Sequence, residues 1–193
     1  ALVSQLVNNS GGVEATGAHL GEGGVIRFIA QGDALVGGQV LAESNSGKGG
    51  EIDITGNRVA VLDGARVSAD GATGGGTIHI GGGWQGQDAT LANSQQTIVQ
   101  ANADISANAI QNGDGGEVVV WADGHTTVNS EIQAKGGALG GNGGRIETSG
   151  KESLAANVAA NTSAANGEAG QWLLDPANLT IVSDADFQNP API

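Results

Sequence analysis

An all-β fold, a parallel solenoid built from coils of about 26 residues with three short strands each, is what this sequence predicts. The first observation is a glycine pair followed by an alternating apolar segment. It recurs as Gly23-Gly24-Val25-Ile26-Arg27-Phe28, Gly49-Gly50-Glu51-Ile52-Asp53-Ile54, Gly75-Gly76-Thr77-Ile78-His79-Ile80, Gly115-Gly116-Glu117-Val118-Val119-Val120 and Gly143-Gly144-Arg145-Ile146-Glu147-Thr148, with a degenerate copy at Ala169-Gly170-Gln171-Trp172-Leu173-Leu174. The second glycines step by 26, 26, 40, 28 and 26 residues, inside the range of solenoid repeats. The second observation is an independent register, Val40, Val67, Ile105, Ile132 and Val158, with steps of 27, 38, 27 and 26. The third is glycine itself. At 35 of 193 residues it is far above the usual share of about 7%, yet the phased Ile/Val pairs separate the chain from a flexible linker, and no third-residue rule makes it collagen.

In chain order, residues 1–22, with Leu2, Val3, Leu6 and Val7 before Asn8-Asn9-Ser10-Gly11-Gly12, read as an incomplete coil at the edge of a fragment. Residues 23–182 read as the solenoid. Alternation sends Ile26/Phe28, Ile52/Ile54, Ile78/Ile80, Val118/Val120, Ile146/Thr148 and Trp172/Leu174 inward, so like stacks on like in a parallel, in-register arrangement. The opposite ladder, Arg27, Asp53, His79, Val119 and Glu147, points outward. Glu51, Asp53, Thr77 and His79 are accordingly expected to face solvent, with Arg27 and Asp53 close enough to pair. Both registers lengthen between the third and fourth coils, which places an insertion of about 14 residues within 81–97 and leaves it peripheral to the fold. Residues 183–193 read as a tail, and Gln188-Asn189-Pro190-Ala191-Pro192-Ile193 looks like a fragment boundary.

Charge and composition narrow the function. A net charge of −13 with only seven Lys and Arg argues against a nucleic-acid or anionic-membrane surface. No apolar run is long enough to span a bilayer as a helix, and Ala1 does not begin a signal peptide. The absence of cysteine leaves no disulfide and no thiolate metal site. His19, His79 and His125 are far apart in sequence, and there is no nucleophile motif, phosphate loop or zinc signature. No catalytic residue, metal ligand or cofactor is therefore assigned. Glu51, Asp53 and Glu147 would offer carboxylates to a carbohydrate-active enzyme, but Val119 interrupts their ladder. Asn112-Gly113-Asp114-Gly115-Gly116 resembles a calcium-binding nonapeptide only once, without tandem copies. Trp84 and Gln85, in the insertion, are the candidate ligand-binding residues: a tryptophan flanked by glycine either stacks on a sugar ring or folds back as a lid on the coil.

Four stretches carry a resemblance. Gly81-Gly82-Gly83-Trp84-Gln85-Gly86, Val118-Val119-Val120-Trp121-Ala122-Asp123-Gly124-His125-Thr126-Thr127, Gly140-Gly141-Asn142-Gly143-Gly144-Arg145-Ile146-Glu147-Thr148-Ser149-Gly150-Lys151 and Gly170-Gln171-Trp172-Leu173-Leu174-Asp175-Pro176 are similar, in type and order, to filamentous-haemagglutinin-like exoproteins of two-partner secretion systems. The family often has a large hydrophobic or aromatic residue where Arg145 stands, and tyrosine is common where Trp84 stands. The resemblance implies a right-handed parallel β-helix in a long secreted protein of a Gram-negative or cyanobacterial cell. It further implies export through an outer-membrane partner pore and a role at the cell surface as adhesin, biofilm-matrix protein, haem-acquisition protein or toxin-delivery stalk. The asparagine-proline motifs of the family's N-terminal secretion module are not found here, so the expected role is that of a non-enzymatic, structural and adhesive shaft segment, with a host or matrix glycan or protein as ligand. The rival readings are a haem or host-protein binding module, for which the insertion at Trp84 is the candidate loop, and a carbohydrate-active β-helix enzyme.

Overall fold

The computed structural model describes residues 2–14, 24–157 and 159–177. Among them there is no α-helix, and every paired strand runs parallel to its neighbours. The expected solenoid is present. Its first row contains the start of Val25–Val36, then Glu51–Thr55, Thr77–Ile80, Glu117–Ala122, Arg145–Gly150 and Gln171–Leu173. The second contains the end of Val25–Val36, then Arg58–Val61, Gln96–Val99, His125–Val128 and Ser153–Ala156. The long strand Val25–Val36 turns from one row into the other, which joins them in one sheet, while Leu2–Asn9 pairs along its length. The third row, a separate sheet, runs Gly12–Glu14, Gln39–Leu41, Arg66–Ser68, Asp104–Ser106, Ile132–Gln133 and Ala160–Asn161.

The register follows the glycine pairs. Val25, Glu51, Thr77, Glu117, Arg145 and Gln171 lie side by side, and one position on, so do Ile26, Ile52, Ile78, Val118, Ile146 and Trp172. Branched aliphatics suit this pleated surface, and Ile52, Ile54, Ile78, Ile80, Val118, Val120 and Ile146 are all completely buried. Trp172 closes the stack part-buried, its indole N–H donating to Thr148 Oγ1 at 3.0 Å. In the third row Val40, Val67, Ile105 and Ile132 stack as expected, but the fifth partner is Ala160. Val158, the residue read from sequence at that place, lies outside the described residues.

The glycine pairs have a steric cause. In each coil the N–H of the second glycine closes a corner: Gly50 bonds Ala42 O, Gly76 bonds Ala69 O, Gly116 bonds Ala107 O and Gly144 bonds Ala134 O, at 2.7 to 2.8 Å. The four corner alanines are themselves fully buried. At this closure the backbones of successive coils touch. A Cβ on Gly76 would stand 2.1 Å from Gly50 O, and one on Gly75 would stand 2.0 Å from Ala107 O. No side chain fits either place, so the pairs mark where one coil is sealed against the next.

The long coil resolves into two parts. From Arg58 to its partner Gln96 the step is 38 residues, as it is from Arg66 to Asp104, whereas Thr77 to Glu117 is 40. Twelve extra residues therefore lie between Ile80 and Gln96, and two more in the turn before Gly115. The first group forms a compact loop whose ends are tied by the Ser94 N–H donating to Gly81 O at 2.7 Å. At its tip is a 3-10 turn, Trp84–Gly86, in which Gln85 has φ of 53°.

Candidate functional site

The loop does not hang free. It lies over the outer face of the first row and changes what that face is. Trp121 points outward yet is only 5% exposed, because the loop's glycines pack against its ring; a Cβ on Gly86 would meet Trp121 Cε2 at 2.5 Å, and one on Gly82 would meet its Cδ1 at 2.8 Å. The indole N–H donates to Asp123 Oδ1, which also accepts from Asn93 Nδ2 of the loop. Ser94 Oγ and Thr97 Oγ1 both donate to the Trp121 carbonyl. These contacts fasten the loop's return limb.

The expectation that Glu51, Asp53, Thr77 and His79 face solvent holds in direction and fails in exposure. The ladder Arg27, Asp53, His79, Val119 and Glu147 does point outward, in register. However, Asp53, Val119 and Glu147 are at most 1% exposed and the His79 side chain 13%. Neighbouring rungs and the loop enclose them.

Enclosure forces the charges to pair. Arg27 Nε donates to Asp53 Oδ2 at 2.7 Å and its guanidinium reaches Glu51 at 2.5 Å; Asp53 Oδ1 meets His79 Nδ1 at 2.8 Å; His79 Nε2 meets Glu117 Oε1 at 3.3 Å; Glu117 in turn pairs with Arg145. Glu51, Arg27, Asp53, His79, Glu117 and Arg145 thus form a chain of alternating charge along the rod. Burial alone would lower the His79 pKa, but hydrogen bonds and charge from Asp53 and Glu117 overcome it and raise the imidazole to about 9. Burial also works against ionised Asp53 and Glu117, yet the bonds from His79, with Arg27 on Asp53 and Arg145 on Glu117, hold both carboxyls below their ordinary range. At neutral pH His79 is a cation.

The candidate residues sit where this chain ends. The Arg145 guanidinium lies 4.6 Å from the centroid of the Trp84 ring, so one ring face is taken and Trp84 is half-buried. The Gln85 backbone N–H donates to Glu147 Oε2 at 2.7 Å, while its side chain borders a recess of about 540 Å³ shared with Gln87, Asn93, Asp123, Lys151 and Asp175. A second recess, of about 530 Å³, lies on the other flank of the loop between Arg27, Asp53, His79, Asp88, Thr90 and Leu91. Among the described residues no three His, Asp or Glu side chains converge as metal ligands. Asp53, His79 and Glu117 are spaced along the axis, one to a rung, and spend their polar atoms on one another and on Arg27 and Arg145.

Sequence reading did not bring Arg145, Glu147 and Trp121 to the loop. One signal was available: Val119 and Trp121 are large apolar residues at outward positions of the same strand, which implies a cover over that face.

The class defined by these features is a parallel β-solenoid whose outward polar ladder is strapped by a loop. The sequence matches no family model and no curated protein. Among solved structures the fold is similar to the HMW1 secretion domain from Haemophilus influenzae, with a TM-score of 0.75 and 28% sequence identity over 90% of this chain and 45% of that one. The chain thus spans less than half the length of that domain. No helix among the described residues is long and apolar enough to cross a membrane.

Proposed function

We propose that this chain is a non-enzymatic structural segment of a secreted bacterial exoprotein of two-partner type, exported through an outer-membrane partner pore and serving at the cell surface as part of an adhesive shaft. The observation that carries the reading is the likeness to a secretion domain over nine-tenths of the chain. The coil geometry supports it with a mechanism. A chain without cysteine threads unfolded, and each emerging coil meets a strand edge already formed, on which its glycine pair seals. Folding outside the cell then biases movement outward. The test is a chimaera: residues 24–177 are joined after the intact HMW1 secretion domain, and export by that protein's own machinery is scored. Secretion of a folded product is expected. A chimaera that folds when purified but is retained in the cell would overturn the assignment.

An enzymatic role finds less support in the site. Glycoside hydrolysis needs a protonated and an ionised carboxyl in one groove. Glu51, Asp53 and Asp88 do border a common recess, but the pKa values of Asp53 and Asp88 are lowered rather than raised, and Arg27 and His79 occupy the oxygens of Asp53. For the adhesive role Trp84 and Gln85 remain the proposed contacts. A glycan-array and host-protein screen should lose its signal on Trp84→Ala, and a measurable affinity unchanged by that substitution would remove Trp84 from the site.

A further inference from the structure

Glu147 lies on the strapped face, in register with Val119, and the alternating chain leaves it out. It is completely buried, and its two oxygens are treated unequally: Oε2 accepts the Gln85 N–H from the tip of the loop at 2.7 Å, whereas Oε1 has no hydrogen-bond partner. Among the described residues no cation pairs with it. Arg145, two residues earlier on the same face, is committed to Glu117 and to the Trp84 ring. The ionisable groups that act on Glu147 are Asp175 from the next coil and Glu117 from the previous one, both acidic. Its flanking ladder partners are Val119 and Leu173, both apolar. An ionised Glu147 would be an unpaired charge between two carboxylates and apolar neighbours, with the Gln85 amide and the Ser149 hydroxyl in place of its hydration shell.

We propose that Glu147 is a proton-operated latch for the 81–94 loop: with the carboxyl protonated the loop lies closed on Gln85, and loss of the proton lifts the loop and bares Val119, Trp121 and the free Trp84 ring. Ionisation does strengthen the acceptor for the Gln85 N–H, but one amide and one hydroxyl do not replace the water a buried carboxylate gives up. Lifting the loop restores that water, and it also lets Arg145 turn from Trp84 toward the new charge. The electrostatics run the same way, since burial pushes the Glu147 carboxyl up, Asp175 and Glu117 push with it, and the Gln85 amide and the Ser149 hydroxyl offset only part. The loop's own Asp88 stays ionised through the same range, its pKa lowered by hydrogen bonds from Thr90, and His79, which faces Asp53 and Glu117, titrates higher, at about 9. Neither group is therefore the trigger.

The test is amide hydrogen exchange on the whole chain between pH 5 and 8, with protection factors corrected for the intrinsic base-catalysed rate. The Gln85 and Gly86 amides should lose at least 10-fold in protection across this range in the parent chain and stay protected in Glu147→Gln, which keeps an acceptor oxygen and removes the charge. Constant protection in the parent, or equal loss in Glu147→Gln, overturns the latch. If Glu147→Gln fails to fold, the carboxyl ¹³C shift of Glu147 in the parent decides instead: a titration in the ordinary carboxylate range with Gln85 still protected overturns it, and one that coincides with loss of protection supports it.

Discussion

His79 shows how much a single residue's environment changes its meaning. On sequence it is a lone polar side chain on a strand; in the fold it is the basic link that joins Asp53 to Glu117. With a folded pKa of about 9 against an ordinary 6.5, protonated His79 contributes its full stabilisation below about 6.5 and loses it as the pH rises through 9. Asp53 and Glu117, both lowered, contribute above their ordinary values and fail as the pH falls below them. The melting temperature of the parent should therefore fall between pH 6.5 and 9 relative to His79→Gln measured alongside. Parallel curves for the two proteins would show that His79 is not charged in the fold. At the loop tip, Trp84→Ala removes the ring under Arg145, an interaction of about 0.5 to 2 kcal/mol. It should speed exchange of the loop amides while leaving the amides of Thr77–Ile80 protected, which tests whether the ring holds the loop or the coil.

At the scale of the element, the first-row strand and the loop make opposite demands. Ile78→Asp places a charge between Ile52 and Val118, completely buried, and should abolish cooperative melting at a cost of several kcal/mol. Thr77 is the outward control, but its register partners are Glu51 and Glu117, so an acid there would meet like charges on both sides. Thr77→Gln avoids that clash and should cost less than about 1 kcal/mol. Equal melting losses for the two substitutions would contradict the inward and outward assignment. Replacing residues 81–95 by the short Thr55-Gly56-Asn57 link of the preceding coil should keep the β-rich spectrum, because no row loses a strand, yet lower the melting temperature by uncovering Val119 and Trp121. An unchanged melting temperature would mean that the loop adds nothing to the rod. The contrast explains what was legible beforehand. Rows of strands write themselves as a period, since Ile52, Ile78, Val118 and Ile146 must match one another across each rung. A loop that covers a face satisfies unrelated partners once each, so nothing in the spacing of Trp84 announced Arg145, and nothing around Gly86 announced Trp121. The polar ladder was readable in order but not in exposure, for the same reason.

For the whole molecule, stability is a sum over neighbours rather than a property of one central core. The basic residues reflect this: Arg27, Arg58, Arg66 and Arg145 each bridge to an acid on an adjacent rung, so an excess of acidic charge is threaded with cross-rung ties instead of being left to repel. The solvent-facing ties among them, such as Arg58 with Asp33, are screened by water and contribute little. High salt should accordingly cost the rod little.

The sealed corner has a mechanical corollary. Because Gly50, Gly76, Gly116 and Gly144 each close their own coil against a buried alanine carbonyl, a rod pulled from its two ends has natural places to give way, one coil at a time. Each ordinary coil, of 26 to 28 residues between equivalent positions, would release about 90 to 100 Å of extended chain, while the coil from Thr77 to Glu117, with 40, would release about 140 Å. A single-molecule force trace should therefore show a staircase of near-equal treads with one long tread, and the position of that tread reports when the strapped coil tears. A single rupture with no treads would mean that the coils fail together.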